Sequence, residues 1–159
     1  MKNLIVREAI KQFVKDYEEE TYIPRTEADI QGYLFSLCIR GLTNCNLNLE
    51  IHLNYPSISL DGLKHKKVDI VLGSDVAIEI KFEADYPGVS KPVVFPKEAA
   101  SDIERLQVMK NNGISHCHFV FLDEDGTHLR NFQKYTPIPL NWLTLSVRGK
   151  EKYILHLEL

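Results

Sequence analysis

The chain has 159 residues, a formal net charge of −3, 44% apolar and 26% charged residues. That length suits one domain with a real hydrophobic core, and the ordinary composition excludes fibrous and disordered classes. No apolar run approaches the roughly 20 residues that a helix needs to span a bilayer, so no membrane partner is expected. The acidic balance argues against a generally basic nucleic-acid coat but permits a local basic groove.

In chain order, Ile5, Ala9, Phe13 and Tyr17, with Ile10 and Val14 alongside, form an apolar helical stripe over residues 2–20. Charged and helix-patterned from its start, this segment does not read as a signal peptide. "YIPRT" interrupts it, and Thr26 is placed to cap a second helix, "TEADIQGYLFSLCIRGL", with Asp29 at the capping-box position and Gly41 as its stop. Ile30, Leu34, Leu37 and Cys38 would be its buried face. Residues 47–55, "LNLEIHLNY", alternate apolar and polar side chains as a half-buried strand does. A loop with the basic end "KHKK" leads into "KVDIVLGSDVAIEIKFE" (67–83), which reads as a hairpin. "DYPGVSKPVVFP" is a connection, and a third helix follows over "PKEAASDIERLQVMKNNG", with Pro96 near its start and Gly113 past its end. "ISHCHFVFL" (114–122) is a strand closed by the turn "DEDG", and residues 142–159 form a last hairpin turning near Gly149–Lys150. The fold class is α/β (α+β): a mixed central sheet flanked by helices, in one domain spanning 1–159.

The hairpin carries the chemistry. If Gly73-Ser74-Asp75 is a three-residue turn, Asp69 stands opposite Glu79, and Lys81 lies two residues further along the same face. Ile70, Leu72, Ile78, Ile80 and Phe82 would share the other face. A turn of two or four residues would put the two acids on opposite faces. Opposed carboxylates repel unless a cation lies between them, and a hard divalent ion such as magnesium suits one or two carboxylates plus waters. Lys81 would then orient or activate water, or steady charge building on a phosphate. A solvated strand face explains the same charges more simply, but Val71 and Ala77 between them are not the polar residues such a face should carry.

At these residues the sequence resembles the PD-(D/E)XK nuclease superfamily, whose fold is called restriction-endonuclease-like. The resemblance rests on Asp69 and the triplet Glu79-Ile80-Lys81, with nine residues between Asp69 and Glu79. It is supported by the order helix, three strands, helix, strand over residues 26–122, the αβββαβ core of that family. Residues 2–20 and 142–159 would be additions to it. Val68 replaces the family's proline. The resemblance implies magnesium-dependent hydrolysis of phosphodiester bonds, with manganese as a substitute. It makes Asp69, Glu79 and Lys81 the catalytic residues, with the metal on Asp69 and Glu79. The family's extra acid from the first core helix matches Glu27; Glu50 on the first strand competes for that role. DNA is the expected substrate and partner, gripped by Lys64, Lys66 and Lys67, with Gln31 positioning substrate or water. Lys91, Lys97 and Arg105 are weaker candidates for phosphate contact.

His116 and His118 share a strand face, but no other ligands occur at zinc-site spacing, so both read as structural. Cys38, Cys45 and Cys117, with no C-x-x-C spacing, suggest reduced thiols and a cytoplasmic setting, with Cys38 and Cys45 in or near the core. Tyr17, Tyr22, Tyr33 and Phe35 read as packing residues. No Gly-rich phosphate loop, G-x-S-x-G elbow or H-E-x-x-H occurs. The expectation is a small metal-dependent DNA nuclease, acting as a homodimer or with a partner protein supplying target recognition. The alternative is a non-catalytic module of the same fold with a structural or nucleic-acid-binding role.

Overall fold

In a computed structural model, residues 1–56, 67–85 and 94–159 are described. Two helices, α1 (Lys2–Glu18) and α2 (Glu27–Asn44), precede strand β1 (Ile51–Pro56) and the hairpin of β2 (Lys67–Leu72) and β3 (Val76–Glu83). Helix α3 (Pro96–Asn111) leads to β4 (His116–Asp123), then short helix α4 (Thr127–Asn131), a 3-10 turn (Phe132–Tyr135) and the hairpin β5 (Trp142–Val147) and β6 (Lys150–Glu158). The six strands form one mixed sheet in the order β1-β2-β3-β4-β6-β5. Only β3 and β4 run parallel, as a crossover through α3 allows. No helix among the described residues is long and apolar enough to cross a membrane.

Each sheet face has its own apolar cluster. Ile5, Phe13 and Tyr17 of α1 and Ile30 and Leu34 of α2 pack on Ile70, Leu72, Ile78 and Ile80. On the other face Ile103, Leu106 and Met109 of α3 meet Val71, Ala77, Phe119 and Phe121, with Trp142 against them. The α2 start is the expected capping box: Thr26 Oγ1 accepts from the Asp29 N–H at 3.2 Å, and Asp29 Oδ2 accepts from the Thr26 N–H at 2.9 Å.

Three expectations need correcting. Gly41 does not stop α2, which runs on to Asn44. A Cβ at position 41 would fall 2.5 Å from Ile5 Cγ2, so the glycine is there to let α1 come close. The strand expected over 47–55 is regular only from Ile51, and Leu49 and Leu53 are 55% and 41% exposed. It is a sheet edge, with Asn54 in the left-handed region (φ 49°), and of its apolar residues Leu47 and Ile51 still pack against the core. Cys45 is exposed, while Cys38 and Cys117 are buried.

Candidate functional site

Turn length decides whether two acids can meet, and the turn has three residues. Leu72 pairs with Val76, Val71 with Ala77 and Ile70 with Ile78, the register in which Asp69 faces Glu79. Pairing between β2 and β3 stops there. Beyond Ile78 two amides of β3 are taken by side chains instead: Asp69 Oδ2 accepts from the Ile80 N–H at 2.7 Å, and the Glu27 carboxylate accepts from the Phe82 N–H. The first turn of α2 therefore sits where the two strands part. Gln31, one turn further along α2, donates its side-chain amide to the Asp69 carbonyl at 2.8 Å and so secures the other side of the opening. Buried backbone groups must find partners, and here carboxylates and an amide supply them in place of a ladder.

Helix α3 closes the site from below. Glu79 is 3% exposed and forms an ion pair with Arg105, itself 4% exposed. Arg105 also donates to Asp102 Oδ1 at 2.7 Å. Lys81 Nζ lies 3.2 Å from Asp102 Oδ2 and 3.8 Å from Glu27 Oε1, and it donates to the Ile80 carbonyl at 3.1 Å. The cluster thus holds four carboxylates (Glu27, Asp69, Glu79, Asp102) against two cations (Lys81, Arg105).

That imbalance is visible in the protonation behaviour. Burial, followed by the neighbouring Asp69 charge, pushes the Glu79 carboxyl up to about 8, against the pull of Arg105. Burial also raises Asp69 and Glu27. Burial alone would lower Lys81, but Glu27, Asp102, Glu79 and Asp69 together outweigh it and leave the ammonium above its ordinary value. Lys81 is therefore a fixed positive charge near neutral pH, and Glu79 is the group that titrates there.

Every candidate ligand is a carboxylate oxygen, the donor type that a hard cation takes. Among the described residues no three His, Cys, Asp or Glu side chains converge into a ready cage. Magnesium keeps several waters and needs only one or two carboxylates, so it is the ion that Asp69 and Glu79 could hold without such a cage. Asp69 and Glu79 would hold it, with Glu27 beside them.

Glu27 and Glu50, the two candidates for the extra acid, lie far apart. Glu27 borders a cleft of about 420 Å³ together with Lys81, Phe95 and Glu98, whereas the Glu50 carbonyl accepts from the Gly73 N–H at the hairpin turn, the opposite end of β2. Lys67 is exposed at the start of β2, whereas Lys64, Lys66 and Lys91 lie outside the described residues. Lys97 is exposed, but Arg105 is buried in the carboxylate cluster and is not available to a phosphate on the surface. His118 is buried, with its ring nitrogens against His156 at 3.0 Å and Asn3 at 2.8 Å.

Sequence reasoning missed Asp102, and it read Arg105 as a phosphate contact rather than as the partner of Glu79. Their i, i+3 spacing along the edge of the α3 apolar stripe was the available signal, since charges bordering a buried face need partners there. No family model matches the chain, and neither a curated protein nor a solved structure matches it.

Proposed function

We propose that the chain is a metal-dependent nuclease of the restriction-endonuclease-like fold, hydrolysing phosphodiester bonds in DNA with magnesium or manganese. The single observation that carries this reading is the parting of β2 from β3 at Asp69 and Glu79. It groups the Asp69 and Glu79 carboxylates beside a charged lysine, Lys81, which faces a cleft together with Glu27. The divalent ion, held by Asp69 and Glu79, would supply Lewis acidity toward a phosphate oxygen. Lys81, fixed by Asp102 and Glu27, places an ammonium where negative charge builds as the phosphorus is attacked, and its donors orient water rather than remove its proton. Asp102 and Arg105 are positioning residues: one anchors Lys81 and the other fixes the Glu79 carboxylate. The order α2-β1-β2-β3-α3-β4 supports the fold assignment.

The test is cleavage of single-stranded, duplex and branched DNA with magnesium or manganese, comparing the natural chain with Lys81→Ala. Loss of one transition-state charge partner lowers the rate on the order of 100- to 1,000-fold. If neither protein cuts any substrate and calorimetry finds no divalent-ion binding, the enzyme reading fails. The ion pair between Arg105 and Glu79 favours a second reading, a non-catalytic DNA-binding module in which the arginine fills the cation's place. DNA binding that persists without metal binding or cleavage would select it.

A further inference from the structure

Beside the cleft at Glu27 and Lys81 lies a second pocket of about 450 Å³, and the two share Phe82 and Ala84 as a common wall. Four cations line it, Arg25, Arg148, Lys150 and Lys152, against two carboxylates, Asp85 and Glu124. Both carboxylates are already engaged. Asp85 Oδ2 lies 2.8 Å from Lys150 Nζ and 3.4 Å from Lys152 Nζ. Glu124 accepts from the Tyr17 hydroxyl at 2.6 Å and from the Asp85 N–H at 3.0 Å. Neither the Arg25 nor the Arg148 guanidinium has a hydrogen-bonded or ion-paired partner among the described residues. Two guanidiniums left over at the rim of a concave site fit a dianion, and the fork geometry of arginine favours phosphate.

Arg148 is also held in an unfavourable backbone. It and Gly149 form the two-residue turn between β5 and β6, with φ of 52° and 70°. Asparagine, aspartate or glycine suits the first position of such a turn, and a long cationic side chain does not. A residue kept there against its backbone preference points to a use for its side chain.

We infer that this pocket is a second phosphate subsite, taking one unpaired or terminal nucleotide of the strand whose phosphodiester lies at Lys81. The phosphate would meet Arg25 and Arg148, and the sugar and base would rest on Ile23, Pro24 and Val147. A pocket of this volume admits a single nucleotide, and a paired strand has no nucleotide free to enter it. Arg25 precedes Glu27 by two residues, so one short segment, the α2 entry, serves both sites. The inference rests on the nuclease reading for its substrate, but binding can be measured without any reaction.

The experiment titrates thymidine monophosphate, thymidine and inorganic phosphate, in the absence of metal, into the natural chain, Arg148→Asn, Arg25→Gln and Lys81→Ala. The monophosphate should bind in the millimolar range or tighter, thymidine and inorganic phosphate at least tenfold more weakly. Arg148→Asn and Arg25→Gln should each weaken the monophosphate about tenfold, while Lys81→Ala leaves it unchanged. Arg148→Asn suits the turn, so its thermal midpoint should hold or rise, separating lost binding from lost folding. No saturable binding of the monophosphate, equal binding of inorganic phosphate, or unchanged affinity in both arginine variants overturns the inference. If the arginine variants lose binding but the natural chain cuts no DNA, the nuclease reading fails and the nucleotide pocket stands. If DNA is cut but both variants bind and cut single-stranded substrate normally, the pocket assignment fails alone.

Discussion

The two faces of the sheet are built on different principles. Against α1 and α2 the hairpin presents Ile70, Leu72, Ile78 and Ile80, all buried among apolar side chains. Against α3 the same two strands present Val71 and Ala77 beside Glu79 and Lys81, with Asp102 and Arg105 placed to meet the charges. The first face gains stability simply by removing apolar area from water. The second must partner every charge it buries, and it holds more carboxylates than cations. A single strand, β3, thus separates stability from chemistry by the alternation of its side chains.

The contrast can be broken most severely on the charged face. Arg105→Ala should destabilise the fold by about 3–5 kcal/mol at pH 9, because an ionised Glu79 is then buried without its partner. At pH 6 the loss should be smaller, since Glu79 can stay protonated. Chemical denaturation at the two pH values checks this, and equal losses would argue that the ion pair matters little. A second substitution, Glu79→Gln, should recover much of the loss at pH 9.

On the apolar face, Leu34→Ala should cost about 2–5 kcal/mol through the cavity it leaves under α2. That loss should be the same at both pH values, and no charge-neutralising partner should rescue it. A strong pH dependence would mean that α2 packing and the Glu27 side of the site are not separable.

The charged face also sets the pH slope of the natural chain. Glu79 has its pKa raised in the fold from 4.5 to about 8, so the folded state holds a proton that the unfolded chain has released. Its contribution therefore favours the fold below the unfolded value and is lost as pH rises from about 4.5 to about 8. Glu79→Gln should flatten that part of the stability profile. A profile unchanged by the substitution would place the titrating group elsewhere.

What was readable in advance follows from what each signal encodes. The Asp69–Glu79 register needed only the number of residues between Leu72 and Val76, a local quantity, and the structure has the three-residue turn that aligns them. The capping box at Thr26 and Asp29 is equally local. Arg105 meets Glu79 across 26 residues of sequence, and no local pattern states that α3 lays this face on this strand. Gly41 shows the reverse hazard. Glycine marks helix ends and close helix contacts alike, and only the position of Ile5 in space tells them apart. In β1, alternation expresses a potential to be half-buried, but the strand lies at the sheet edge, where Leu53 remains exposed. Helix α4 and the turn after it carry too few residues for any period to register.

The chain has one tryptophan, and Trp142 packs on the α3 side of the sheet, its ring 5.6 Å from that of Phe121. Tyr17, Tyr22 and Tyr33 lie together on the opposite side, the last two stacked with centroids 3.8 Å apart. The protein therefore carries a separate natural fluorophore for each layer. Tryptophan emission reports the layer that holds the charges, and the stacked pair Tyr22 and Tyr33 lies in the other. Loosening of either layer can be followed by light without attaching a dye.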